Sequence, residues 1–124
     1  MKGFLKKEQK ILIAGAKGMV GSAIKRELIK KGYGKDTYSK NLFIPSSKEL
    51  DYSNYQSVNK WFQTYKPSVV ILAAAKVGGI NANKNYPADF LLNNLKIQTN
   101  IIENAWKYKV QKLLFLGSSC IYPK

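Results

Sequence analysis

The sequence is poor in four things: it has no histidine, one cysteine, one arginine and few acids, seven against 21 basic residues. A single cysteine cannot close an internal disulfide, which points to a reducing compartment, the cytoplasm. No metal site is predicted. Long apolar runs are also missing, none approaching the ~20 residues that a membrane-spanning helix needs. Residues 1–10 are basic, and their apolar part is too short for a signal peptide. The scarcity of acids leaves a net charge of +14. Such a balance raises nucleic-acid binding as a possibility. However, base edges and bidentate phosphate contacts are read mostly by arginine, and Arg26 stands alone among dispersed lysines. The charge therefore reads as a solvated basic surface, and no nucleic-acid partner is expected.

What the sequence does have is a run of aliphatic residues ending in three glycines spaced by three: Ile11-Leu-Ile-Ala-Gly15-Ala-Lys-Gly18-Met-Val-Gly21. A helical pattern follows at once. Strand, glycine turn and helix start together make a phosphate cradle, in which glycine lets the backbone approach a pyrophosphate and lets helix pack on strand. At 124 residues the chain has room for one domain. Residues 1–9 read as a weakly ordered basic lead-in, and 10–124 as the domain.

The rest of the chain repeats the alternation. Residues 11–14, 41–44, 69–75 and 112–116 read as strands, the first, third and fourth buried on both faces. Helices are predicted over 19–31, ended by Gly32, over a segment capped by Ser53 or Asp51, and over 88–109. The first carries Met19, Val20, Ala23, Ile24 and Leu28 as its apolar face. The second carries Tyr55, Val58, Trp61, Phe62 and Tyr65, read as core. The third has an apolar face wide enough to meet more than one element. Strands alternating with helices imply a parallel sheet with right-handed crossovers, an α/β doubly wound Rossmann-like fold.

Three glycine motifs compete. No window supplies the G-x-x-x-x-G-K-[ST] of a P-loop. The common dinucleotide fingerprint G-x-G-x-x-G has a first gap one residue shorter than here. The spacing Gly15-x-x-Gly18-x-x-Gly21 is typical of short-chain dehydrogenase/reductase relatives. An acid at the tip of the second strand would bind the ribose of NAD, whereas cations and hydroxyls would accept the 2′-phosphate of NADP. The tip reads Pro45-Ser-Ser-Lys48, with Lys17 inside the glycine turn, so NADP(H) is the expected cofactor. Asp51, slightly later, is within reach of the adenine amine. Ala73-Ala-Ala75 and Gly117-Ser-Ser-Cys120 end strands at the carboxyl edge, where ligands of open α/β sheets bind. Hydroxyls and a thiol there are candidates for proton handling at a substrate.

With these pieces in view, the chain resembles the GDP-L-fucose synthase family, extended short-chain reductases that epimerise and reduce GDP-4-keto-6-deoxy-D-mannose. The resemblance runs from about Lys10 to Lys124. It rests most on residues 15–24, on Ala73-Ala-Ala-Lys-Val-Gly-Gly-Ile80, on Asn85-Tyr-Pro-Ala-Asp-Phe90 and on Lys112-Leu-Leu-Phe-Leu-Gly-Ser-Ser-Cys-Ile-Tyr-Pro-Lys124. It implies epimerisation at C3 and C5, then reduction of the C4 ketone with NADPH. It implies Ser118 as a catalytic serine on the reacting carbonyl, and Cys120 as an epimerisation acid/base. It implies cofactor contacts from Gly15, Ala16, Lys17, Gly18, Met19, Val20 and Gly21. Further contacts are implied from Ser47, Lys48, Glu49, Leu50, Asp51 and Tyr52, and from Leu116, Gly117, Ser118 and Ser119. Where the family often carries arginine, this chain has Lys17 and Ser47.

The same resemblance implies a homodimer in the full-length enzyme and a second, substrate-binding domain. The superfamily's Tyr-x-x-x-Lys pair stands at no plausible site, and the family's partner histidine is missing. The chain therefore reads as the N-terminal part of such an enzyme, inactive alone. A non-catalytic nucleotide-binding module and another nucleotide-sugar epimerase/dehydratase of the same superfamily remain open. Half of a doubly wound sheet would leave the strand 112–116 unpaired on one side and invite self-association.

Overall fold

A computed structural model describes residues 4–74, 84–117 and 123. The elements alternate as the sequence predicts: β1 (Ile11–Ala14), α1 (Met19–Lys30), β2 (Leu42–Phe43), α2 (Tyr55–Tyr65), β3 (Val69–Leu72), α3 (Pro87–Lys107) and β4 (Lys112–Phe115). A short 3-10 helix, Asp36–Asn41, precedes β2. The four strands form one parallel sheet in the order β2-β1-β3-β4, with Ile11 to Ala14 aligned on Val69 to Leu72. This is the α/β Rossmann-like arrangement.

β1 and β3 are buried along their whole length, which is why neither shows a polar alternation. Side chains one residue apart enter opposite layers. Leu12, Ala14, Val70 and Leu72 pack with Val58, Phe62, Ile97 and Ile101 from α2 and α3. Ile11, Ile13, Val69 and Ile71 pack with Leu28 of α1 on the other face. Burial of each such aliphatic or aromatic side chain contributes about 1.5–3 kcal/mol.

Several expectations need correction. The sheet-facing side of α1 is Gly21, Ile24 and Leu28, spaced i, i+3, i+7, whereas Met19, Val20 and Ala23 are exposed. The Gly21 Cα is pressed against the glycine turn, and that contact sets the rotation of the helix. Of the α2 stripe only Val58 and Phe62 are fully buried. Trp61 is half-buried, and Tyr65 lies at the rim, in an aromatic cluster with Phe43. The α2 cap is neither Ser53 nor Asp51. Asn54 caps it, its Oδ1 accepting from the Ser57 N–H at 2.9 Å. Asp51 instead folds its carboxylate onto Ser53, accepting from both the N–H and the hydroxyl. β4, read as buried, has Leu113, Leu114 and Phe115 40–51% exposed; among the described residues it pairs on one side alone, the edge position expected of it.

The lead-in is more ordered than expected from residue 4 on. The Tyr33 hydroxyl donates to the Leu5 carbonyl at 2.7 Å, the Asn41 amide donates to the Glu8 carbonyl, and Gln9 pairs with Gln111. The Lys112 ammonium donates to the Phe4 carbonyl. The segment thereby ties the β2 side of the sheet to β4 across the amino ends of the strands. Chain after α1 turns back through Gly32 at φ 90, with N–H bonds to the carbonyls of Ile29 and Leu28 closing the helix end.

The core assignment has a direct check in urea unfolding. Phe62→Ala removes the largest fully buried side chain among the described residues and is expected to cost about 3–5 kcal/mol. Asn54→Ala removes only a cap and is expected to cost about 1 kcal/mol. Equal losses for the two variants would contradict the layer description.

Candidate functional site

The strand order reverses between β1 and β3, since β2 lies outward of β1 on one side and β4 outward of β3 on the other. Open α/β sheets bind ligands beyond the carboxyl ends of the strands at such a switch point. A cleft of about 420 Å³ opens there, a size that suits an organic ligand.

Its floor is the glycine turn. Gly15 has φ 89, and a Cβ there would come within 2.7 Å of the Ala73 backbone. A Cβ on Gly21 would overlap the Gly15 carbonyl oxygen. No other residue type fits at either position. The turn closes with the Gly18 N–H donating to the Gly15 carbonyl at 3.1 Å, and the Ala73 N–H donates to the Ala14 carbonyl at 2.9 Å. Gly18 is the N-cap of α1; it offers no side-chain cap, and no acid stands in the first turn. The positive end of the helix, with its free N–H groups, is thus left for an external anion. Glycines without room for Cβ and an uncapped helix start fit a pyrophosphate.

One wall comes from the segment after β2. Pro45, Ser46 and Ser47 line the cleft, followed by Leu50, Asp51, Tyr52 and Ser53. The Glu49 and Leu50 N–H groups both donate to the Ser46 carbonyl, which turns the chain so that Leu50 is buried in the core. Ala73 and Ala74 form the wall after β3, and Asn93 and Ile97 of α3 close the far side. Lys17 and Asp51 are the charged residues of the lining among the described residues.

The predicted site residues thus separate. Gly15, Ala16, Lys17, Gly18, Ser47, Leu50, Asp51 and Tyr52 are brought together in one cleft. Met19, Val20, Gly21, Lys48, Glu49, Leu116 and Gly117 are not in its lining. Gly21 shapes the floor from behind, and Lys48 is exposed nearby. Ser118, Ser119 and Cys120 lie outside the described residues, as does the segment 75–83. Sequence reasoning missed Asn93 and Ile97, because a helix residue reveals its partner layer only once the crossover is built.

Tyr52 links this wall to the core. Its carbonyl accepts from the Asn100 side-chain amide at 3.0 Å, and Asn104 donates to the Asn100 carbonyl one turn along α3. Among the described residues the buried Tyr52 hydroxyl has no hydrogen-bond partner, and neither has the Asn104 Oδ1. Burial, with the Glu49 carboxylate as a lesser cause, pushes the Tyr52 phenol well above its ordinary range.

One tyrosine does precede a lysine by four positions, Tyr108 before Lys112. Both sit at the amino ends of the strands, away from the cleft. The Tyr108 hydroxyl donates to Asn59 Oδ1, and Lys112 is engaged with Phe4. The pair has the spacing without the location.

The comparisons agree with this geometry. Residues 11–124 match the NAD dependent epimerase/dehydratase family. The chain belongs to that family. It is 54% identical over 97% of its length to a putative GDP-L-fucose synthase 2 from Arabidopsis thaliana, of which it covers 35%. It is 48% identical over 94% of its length to the GDP-L-fucose synthase of Escherichia coli K12, again covering 35%. A GDP-mannoheptose C4 reductase from Campylobacter jejuni, solved with NADP bound, superposes with a TM-score of 0.86 at 40% identity, over 96% of this chain and 36% of that one. The chain spans about a third of the length of these relatives. Among the described residues, no helix is long and apolar enough to cross a membrane, and no group of acids could hold a metal ion.

The raised phenol gives a pH prediction. The unfolded chain loses the Tyr52 proton near pH 10, whereas the folded chain keeps it to higher pH. The contribution to stability is therefore complete below about pH 10 and falls above it, by up to about 1.4 kcal/mol per pH unit. Tyr52→Phe is expected to flatten that alkaline loss relative to the parent and to leave stability at pH 7 the same or higher, as read by denaturant midpoints from pH 7 to 11.

Proposed function

We propose that the chain is the cofactor-binding, N-terminal part of an NADPH-dependent GDP-sugar epimerase/reductase, of the kind that converts GDP-4-keto-6-deoxy-D-mannose to GDP-L-fucose. The observation that carries this reading is the cleft floor, where the tight turn that Gly15 and Gly21 permit delivers the uncapped, acid-free start of α1 to the cleft. The family match and the NADP-bound relative support it. NADPH supplies the two electrons that reduce the C4 ketone.

The residues of this chain would divide the work as follows. The turn 15–18 and the start of α1 hold the pyrophosphate through backbone N–H groups and the helix dipole. Lys17 and the hydroxyls of Ser46 and Ser47 would hold the ribose 2′-phosphate, with Lys48 adding charge from outside the lining. Asp51, anchored by Ser53, accepts from the adenine amine. Small Ala73 and Ala74 let the dinucleotide lie close to the β3 backbone. Leu116, Gly117 and Ser119 would add further cofactor contacts. Ser118 donates to the ketone oxygen, and Cys120 moves the proton during epimerisation. A thiol suits that step, since its ordinary pKa of about 8.5 leaves it protonated yet readily ionised. The enzyme works in the cytoplasm as a homodimer.

A second reading, a nucleotide-binding module that does no chemistry by itself, is favoured by one observation. The Tyr-x-x-x-Lys spacing in the described residues belongs to Tyr108 and Lys112, on the wrong edge of the sheet. The two readings agree that the isolated chain binds cofactor without turnover.

NADPH fluorescence titration of the purified chain is the test. Saturable binding is expected, at least tenfold tighter than for NADH, with no consumption of GDP-4-keto-6-deoxy-D-mannose. Lys17→Glu is expected to remove most of that tenfold preference, and Gly15→Val to abolish binding. Equal affinity for the two cofactors would remove the 2′-phosphate assignment, and no binding to either would remove the reading itself.

A further inference from the structure

One peptide unit in the cleft wall is held on both of its sides. The Tyr52 carbonyl accepts from the Asn100 side-chain amide at 3.0 Å. The N–H of the same unit, that of Ser53, donates to Asp51 Oδ1 at 2.9 Å. A trans peptide is planar, with its C=O and N–H pointing to opposite sides. Asn100 and the Asp51 carboxylate are therefore the two ends of one rigid line, and each bond polarises the other. The Ser53 hydroxyl adds a second bond to Oδ1 at 2.6 Å. Among the described residues Asp51 Oδ2 carries no partner, and Asp51 lines the cleft.

Asn100 is costly where it stands. It is 8% exposed in the interior of α3, where an amide must be paired and asparagine is a poor helix former. An apolar residue of the same length would suit that place better, so the amide is what the position uses. Asn93, Ile97 and Asn100 follow one another at i, i+4 and i+7, a single stripe along the helix. The first two line the cleft, and the third reaches the wall from behind the lining.

We infer that Asn100 is a positioning residue for the base of the cofactor: through the Tyr52–Ser53 peptide it sets the direction of the Asp51 carboxylate, and with it the preference for a 6-amino over a 6-keto purine. The inference rests on the proposed reading of Asp51 as the acceptor of the adenine amine. Adenine presents an N–H donor at C6, which Oδ2 accepts. Hypoxanthine sets a carbonyl oxygen at the same place, which a carboxylate repels. Without the Asn100 bond the peptide is free to rotate, and the carboxylate turns with the Ser53 N–H that holds it.

The test is the ratio of two affinities of the purified chain, for NADPH and for its deaminated analogue, reduced nicotinamide hypoxanthine dinucleotide phosphate, by fluorescence titration. The parent is expected to prefer NADPH about tenfold, the lower end of what a hydrogen bond to a charged group contributes. Asp51→Ala and Asn100→Leu are each expected to bring the ratio to about one, and the double variant to lower it no further. Asn104→Leu removes the other buried asparagine of α3, whose amide goes to its own helix, and is expected to keep the parent ratio. A merely structural role for Asn100 would weaken both ligands together and keep the ratio, and that result overturns the inference. So does a parent without preference for NADPH. A measurement on the parent stands independently of how the variants fold. Saturating 2′,5′-ADP is expected to slow solvent exchange of the Asn100 side-chain amide, followed by NMR, whereas pyrophosphate is expected to leave it unchanged. No slowing by 2′,5′-ADP also overturns the inference. NADPH binding with a ratio that Asn100→Leu does not move sinks this inference alone, whereas no binding of either dinucleotide sinks the cofactor reading.

Discussion

The contact between the glycine turn and the end of β3 is the constraint on which the rest of the molecule depends. Gly15 approaches the Ala73 backbone so closely that a methyl group would not fit, and Gly21 does the same to Gly15. Parallel strands β1 and β3 can therefore stay in register to their last residues while the chain reverses into α1. The contact also fixes how α1 is turned. With Gly21 against the turn, Ile24 and Leu28 follow onto the sheet and Met19 rotates outward, 86% exposed. One steric requirement thus sets the core on the α1 face and the shape of the cleft floor together.

On the opposite face a polar chain performs the equivalent task. Asn100 and Asn104 are buried in α3 among apolar neighbours, where polar side chains are costly unless paired. Each spends its amide on backbone: Asn104 on the Asn100 carbonyl, and Asn100 on the Tyr52 carbonyl. The second bond crosses from helix to loop and holds the segment 50–53 against α3. That segment is the cleft wall. The Tyr52 hydroxyl has no partner among the described residues, and its ring packs against the core.

Legibility followed the physics of each residue. β1 and β3 were readable because full burial demands unbroken apolar runs, and the glycine spacing was readable because only glycine tolerates that turn. The failures have equally local causes. Ser53, Asp51 and Asn54 all have side chains that can cap a helix, and only the trajectory of the loop selects Asn54. The aromatics of α2 have the spacing of a core stripe, yet β2 is two residues long, and so short a strand leaves Tyr65 at the rim. The cleft was legible on its glycine and Ser-Ser sides, where contacts are local in sequence. Asn93 and Ile97 were not, because they reach the site from a helix that crosses over from β3.

Tyr108 and Lys112 carry the same lesson to the chemistry. By spacing they match the proton-donating pair of the superfamily. Strand direction decides against them, because a parallel sheet presents ligands only to the carboxyl ends of its strands. Lys112 opens β4, and the strand must rise through four residues, roughly 13 Å, before it reaches the level of the cleft. Lys112 is instead held by the N-terminal segment, and Tyr108 by Asn59 on α2. Both side chains thus serve the closed end of the sheet. The ligand-binding side of the sheet is the opposite one, where residues 15–18, 45–47 and 73–74 line the cleft.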